Sequence, residues 1–221
     1  MCNNWGNFPI SVDGAIGGLV GDTVIICGGK ADNGYFVNEC YSLTSEKATH
    51  VTHMSVGRRS AASIVINDNT LWVTGGYKYD GEYLAFASTE YVTVMGTMSG
   101  PDLPMALDSH AMVAINSTCS MVIGGFSNNN NSALTFFYDR IEGEWVNGPS
   151  LIKARKNHAA GIITDEVTGE DFVAVTGGNH YIHQVTSDYL DSTEILQDGE
   201  WVQGKINDTL ISGHFLVSKY F

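Results

Sequence analysis

Two pairs of histidines stand at a spacing that metal ligands use, His50-Val51-Thr52-His53 and His180-Tyr181-Ile182-His183. Neutral imidazole is a common ligand of zinc and copper, yet a metal centre takes three or four donors. In an extended strand, residues i and i+3 point to opposite faces. No further His, Cys or carboxylate stands at a matching local spacing, so neither pair predicts a centre. Three other histidines, His110, His158 and His214, recur at intervals of 48 and 56 residues. That regularity marks a packed position in a repeated unit rather than a ligand. Serine, histidine and aspartate are plentiful, but they form no nucleophile elbow. The residue types therefore predict no catalytic group, no metal and no cofactor.

The four cysteines, Cys2, Cys27, Cys40 and Cys119, lack the close pairs of a zinc module and the density of a disulfide scaffold. Cys27 and Cys40 fall on neighbouring strands in the reading below, where they either form one bridge or stay as buried thiols. N-x-[ST] acceptor motifs occur at Asn116, Asn130 and Asn207, roughly the number that chance gives in a chain this rich in Asn, Ser and Thr. Asn128 to Asn131 read as a flexible loop.

Any functional group must be positioned by elements, and these are marked by pairs of adjacent glycines. Apolar, β-branched runs end in Gly28-Gly29, Gly75-Gly76, Gly124-Gly125 and Gly177-Gly178, and the second glycines are 47, 49 and 53 residues apart. A fixed period of this length is the signature of a repeat architecture. Ahead of each pair, Gly14-Ala15-Ile16, Ala61-Ala62, His110-Ala111 and His158-Ala159 open another short apolar run. The two runs of each copy predict a hairpin. The fourth copy is longer by a polar extension at Thr164 to Asp171, as a surface turn tolerates.

After each pair comes a polar loop and a third strand, at Asn38 to Tyr41, Ser88 to Val92, Thr135 to Asp139 and Ser192 to Leu196. A fourth strand follows around Trp145 and Trp201. Glu90 and Glu194 recur in the third strand and are read as structural acceptors. No window carries apolar residues at helical spacing with caps. Four short strands in about 50 residues is the arithmetic of a propeller blade.

Charge and length bound the function classes. The chain has 221 residues, 43% of them hydrophobic, and a net charge of −13. Nucleic acid and anionic lipid need clustered Lys and Arg and are poor partners for such a surface; a basic protein segment is the better electrostatic match. No apolar run reaches membrane-spanning length and no signal peptide is visible at the start, so the sequence leaves cytoplasm and secretion both open.

The glycine-ended runs, the Ser-Thr-Glu that opens strand three, the later Trp, and Arg155-Lys156-Asn157-His158 at the start of a unit together resemble the kelch repeat. Gly100 to Pro104 and Thr193 to Trp201 look like kelch repeats of invertebrate animals. The first copy lacks the Arg, His and Trp, and the second has Ala61 at the His position and no Trp. The resemblance implies an all-β, kelch-type β-propeller forming one array over 1–221. Its repeats fall at about 12–56, 57–103, 104–153 and 154–207, four complete blades with partial blades at 1–11 and 208–221.

The resemblance also implies a non-enzymatic protein-interaction module that binds its partner through loops at one mouth of the ring. In kelch adaptors the residues just after the glycine pair, and the Arg opening strand one, touch the bound peptide. Here these are Lys30, Tyr77, Phe126 and Asn179, with Arg58 and Arg155. Ser11, Leu107 and Ile211 hold the other Arg positions, so no ring of arginines is expected. The alternative is a fragment of a kelch-type enzyme, such as a galactose-oxidase-like or sugar-processing one, but no motif fixes a copper centre.

Trp5 to Pro9 resembles Trp145 to Pro149, and His214 falls at the His position of a fifth unit. An open ring would expose about ten apolar side chains, worth about 1.5–3 kcal/mol each before entropy is subtracted. The expectation is therefore a piece of a longer propeller, with closure by its own ends or dimerisation through open faces as the alternatives.

Overall fold

The computed structural model describes residues 8–165, 167–182 and 186–204. Every regular element among them is a β-strand, and they include no helix long and apolar enough to cross a membrane. The larger strands form four antiparallel meanders of four. Sheet 1 joins Ile16–Val20, Thr23–Cys27, Glu39–Leu43 and Ala48–His53. Sheet 2 joins Ala62–Ile66, Thr70–Thr74, Thr89–Thr93 and Gly96–Ser99. Sheet 3 joins Ala111–Ala114, Cys119–Ile123, Thr135–Asp139 and Glu144–Asn147. Sheet 4 joins Ala159–Thr164, Asp171–Thr176, Thr193–Gln197 and Glu200–Gln203. The chain divides into two compact units, with sheets 1 and 2 before Asp108 and sheets 3 and 4 after it.

In the first unit the apolar faces of both sheets form one core of Val20, Ile25, Cys27, Cys40, Met54, Leu71, Val73 and Val92. The leading strands approach closely, which is why they are rich in small residues. A Cβ at Gly18 would lie 2.6 Å from Val65 Cγ2. Cys27 and Cys40 are directly opposite in the ladder and form a disulfide, which decides between the two states the sequence left open. Trp72 is fully buried and donates its indole N–H to Thr89 Oγ1 at 3.1 Å.

The second unit has an equivalent core of Val113, Met121, Ile123, Leu151, Ile162, Val173, Val175 and Trp201. Trp201 donates to the Pro149 carbonyl at 3.0 Å, so the repeat tryptophan ties the outermost strand to the segment entering its sheet. His110 is buried and His158 partly so. Burial holds His110 down to about 4; burial, then the Arg155 charge and His110, hold His158 down to about 3. Both therefore fold as neutral imidazoles, while the unfolded chain takes up protons near pH 6.5. Stability from these groups is complete above pH 6.5 and falls as the pH drops toward 4. By pH 5 the loss should be roughly 2 kcal/mol for each histidine. Thermal unfolding at pH 7 and pH 5 should show it, with a smaller drop in His110→Asn; identical midpoints in the parent chain at both pH values would refute this.

The fourth strands expected in sheets 1 and 2 are Ala48–His53 and Gly96–Ser99, although neither carries the tryptophan that marked the other two. Two local features differ from the sequence reading. Asn128 to Asn131 is a hairpin: Ser127 pairs with Asn130, and the tip residues Asn128 and Asn129 have φ of 48° and 63°. Asparagine tolerates this left-handed region, and two such residues in a row match the twist of the flanking strands. His50 and His53 share one face, with ring centroids 4.3 Å apart. The register shifts between Cys40 and Tyr41, so the bulge at Val51 restores the parity that an i, i+3 spacing otherwise breaks. Among the described residues no three His, Cys, Asp or Glu gather as metal ligands; His183, His214, Ile211, Trp5 and Asn207 lie outside them.

Candidate functional site at the glycine-pair rim

The glycines set this end of each sheet. Gly29, Gly76 and Gly125 have φ of 99°, 88° and 104°. Each donates its N–H at 2.8 Å to the carbonyl that opens the next repeat, on Arg58, Leu107 and Arg155. Side chains are disfavoured at Gly29 and Gly76 both by the dihedral and by a carbonyl beside the place of an added Cβ, Asp13 O and Arg59 O, each at 2.9 Å. One further position repeats: Gly14, Ser60, Ser109 and Asn157 all have φ between 53° and 64°. Ser60 N–H bonds Gly14 O at 3.0 Å, and Asn157 N–H bonds Ser109 O at 2.9 Å. A left-handed serine is uncommon enough to mark a constrained entry into the leading strand.

Arg58 and Arg155 do not reach the rim surface. Both are buried, at 1% and 0% exposure. Arg58 Nη2 meets Glu90 Oε1 at 2.8 Å, and its Nη1 donates to the carbonyls of Gly75 and Ser88, each at 2.9 Å. Arg155 repeats the pattern with Glu194 at 2.7 Å, Gly177 O at 2.9 Å and Ser192 O at 3.0 Å. The carboxylates are capped in turn: Glu90 accepts from the N–H and hydroxyl of Ser55, and Glu194 from the N–H groups of Ile152 and Lys153. Burial pulls the Arg58 guanidinium below its ordinary range and Glu90 opposes that. These arginines are internal clamps on the turn after each glycine pair, so a partner does not contact them as the resemblance implied.

The residues that reach the rim are one place later, because alternate residues of an extended chain face opposite ways. Arg59 exchanges two backbone bonds with Tyr77, both 3.0 Å, and Lys156 does the same with Asn179 at 3.1 and 2.9 Å. The expected positions Lys30, Tyr77, Phe126 and Asn179 do lie there, each in a short two-stranded ladder. In the first unit Phe36, Tyr77 and Tyr83 form a chain of rings at 6.1 and 5.1 Å. Lys30 stands 5.8 Å from the Phe36 ring and Arg59 5.6 Å from Tyr77, while Arg59 also pairs with Asp13 at 3.1 Å. Tyr83 donates to Asp108; burial and that carboxylate push the Tyr83 phenol up, so it stays protonated. Tyr35, Tyr79 and Leu84 are exposed.

In the second unit Lys156 Nζ lies 3.8 Å above the Phe126 ring, and Asn157 donates to Asn179 Oδ1 at 3.1 Å. His180 Nδ1 is 2.8 Å from the Ala154 carbonyl. A cavity of about 350 Å³ opens beside Lys153, with Asp188, Tyr189, Asp191 and Glu194 in its wall. Each rim thus offers ordered aromatic and cationic groups on a backbone fixed by sheet hydrogen bonds. The dipeptides Arg58-Arg59 and Arg155-Lys156 carried the signal for Arg59 and Lys156, since only one member of each can face inward.

No family model and no curated protein matches the chain. It is similar to a solved structure, that of YjhT. The two share 13% identity over 90% of this chain and 72% of that one, with a TM-score of 0.77. A likeness at this identity speaks for the all-β fold alone.

Proposed function

We propose that the chain is a run of kelch-type propeller blades serving as a non-enzymatic protein-interaction module, with the partner bound on the glycine-pair rim. The observation that carries this is the assembly of Lys30, Phe36, Arg59, Tyr77 and Tyr83 at one end of sheets 1 and 2, held by paired backbone bonds. Amphipathic aromatic side chains on a rigid frame give contact area at low entropic cost, and they are enriched where proteins bind one another. The partner is a basic segment. The chain carries a net −13, the first rim sets the exposed Asp13, Asp32, Asp80 and Glu82 against Lys30, Arg59 and Lys78, and in the second unit a cavity beside Lys153 separately offers Asp188 and Asp191 to a cationic side chain.

Panning a displayed random peptide library against the purified chain tests the reading. Selected peptides should be enriched in Lys and Arg, and Tyr77→Ala should weaken them at least about tenfold, as loss of an anchor does. Ile141→Ala, on an exposed turn of sheet 3, should leave them unchanged. Peptides indifferent to every rim substitution would remove the proposal, and stoichiometric copper on the purified chain would turn it toward the oxidase alternative.

A further inference from the structure

We propose that this chain matures in an oxidising secretory compartment and carries an N-linked glycan on Asn116. The first observation is the Cys27–Cys40 disulfide within the core of the first unit, a bond that forms and persists in secreted proteins and is rare in the reducing cytosol.

The second is the state of the acceptor motifs. Asn116-Ser117-Thr118 makes the turn from Ala111–Ala114 into Cys119–Ile123, and Asn116 is exposed. Its Oδ1 accepts the Thr118 N–H at 2.8 Å, the Thr118 hydroxyl at 3.0 Å and the Cys119 N–H at 2.8 Å. All the internal bonds of the amide fall on its oxygen, and Nδ2 donates to no group among the described residues. A sugar on Nδ2 therefore breaks nothing in the fold.

Asn130 differs: its Nδ2 donates to Asn128 O at 3.1 Å. The hydroxyl residue of its motif, Ser132, is 8% exposed and accepts the Leu134 N–H at 3.0 Å. Asn116 also lies at the opposite end of Cys119–Ile123 from the glycine pair, about 17 Å at roughly 3.4 Å per residue. A glycan there leaves Phe126 and Lys156 uncovered, so the modification stands independently of the rim reading.

In the transfer, Asn116 Nδ2 forms a bond to the anomeric carbon of a lipid-diphosphate-linked oligosaccharide. The bond from that carbon to the diphosphate breaks, the diphosphate leaves with the electron pair, and the amide nitrogen loses one proton. Nothing is oxidised or reduced.

The test is secretion of the whole chain behind a cleavable leader in eukaryotic cells, followed by intact mass and non-reducing peptide mapping. The expected result is a glycan at Asn116, removed by peptide N-glycosidase with Asn116 converted to Asp, and Cys27 and Cys40 recovered as one linked peptide. The glycan should vanish in Thr118→Ala, return in Thr118→Ser and persist in Asn130→Gln. The threonine pair of variants keeps the test open if Asn116→Gln fails to fold. An unmodified Asn116 on secreted chain, or free thiols at Cys27 and Cys40, overturns the proposal.

Discussion

Replacing Arg58 by Met should destabilise the first unit by about 3–5 kcal/mol, the usual consequence of leaving a buried carboxylate without its partner. Glu90 sits beside the guanidinium with both side chains nearly excluded from water, and the carbonyls of Gly75 and Ser88 would lose a donor as well. Repeat 3 indicates a way out. Leu107 precedes Gly124 by the 17 residues that separate Arg58 from Gly75. Phe136 lies opposite Val122 in the ladder as Glu90 lies opposite Val73. Both apolar replacements are buried. The double variant Arg58→Leu, Glu90→Phe should therefore recover at least half of the single loss, because well-packed apolar pairs often equal buried ion pairs. Urea unfolding of the two single variants and the double one measures this. A double variant no more stable than Arg58→Met would mean that the clamp on the carbonyls, and not the charge pair, carries the energy.

Gly76→Val should cost at least about 3 kcal/mol, from strain at positive φ together with crowding. At φ +88° an added Cβ would lie 2.9 Å from Arg59 O and 3.0 Å from Ala61 Cβ, and that backbone is shared with the bridge holding Tyr77 at the rim. Gly81→Val is the control, since Gly81 has φ +77° but nothing within 4 Å of its added Cβ. The control should show the conformational cost alone, about 1–2 kcal/mol. Equal losses at the two sites would show that the close approach at Gly76 is not what the glycine is for.

Much of the fold was legible because the repeat shows in residue type: glycine at the end of the second strand, alanine or histidine at the start of the first. The outer strands of sheets 1 and 2 were harder, since no residue of Ala48–His53 or Gly96–Ser99 is fully buried and the two carry little apolar signal. The His50 and His53 face was misread because a bulge adds one residue that periodicity does not announce.

At the site, the loops after the glycine pairs were readable from their offset, and Lys30, Tyr77, Phe126 and Asn179 lie there. Arg58 and Arg155 were misread for a physical reason. An arginine next to a turn serves equally as an exposed contact or as a buried clamp, and only the Ser-Thr-Glu of the facing strand decides between them. Glu90 and Glu194 were visible as recurring acceptors, but their arginine partners lie 32 and 39 residues away in sequence. Ser60, Ser109 and Asn157 gave no signal beyond being small and polar, because a left-handed serine is indistinguishable in sequence from any loop serine.

The rim as binding surface is tested most directly by amide hydrogen exchange on the whole chain, with and without a saturating library-selected peptide. Slowed exchange is expected in residues 30–36, 57–60 and 77–86, with the outer strands Ala48–His53 and Glu144–Asn147 unchanged. Protection confined to those outer strands, with the rim amides unaffected, would contradict it.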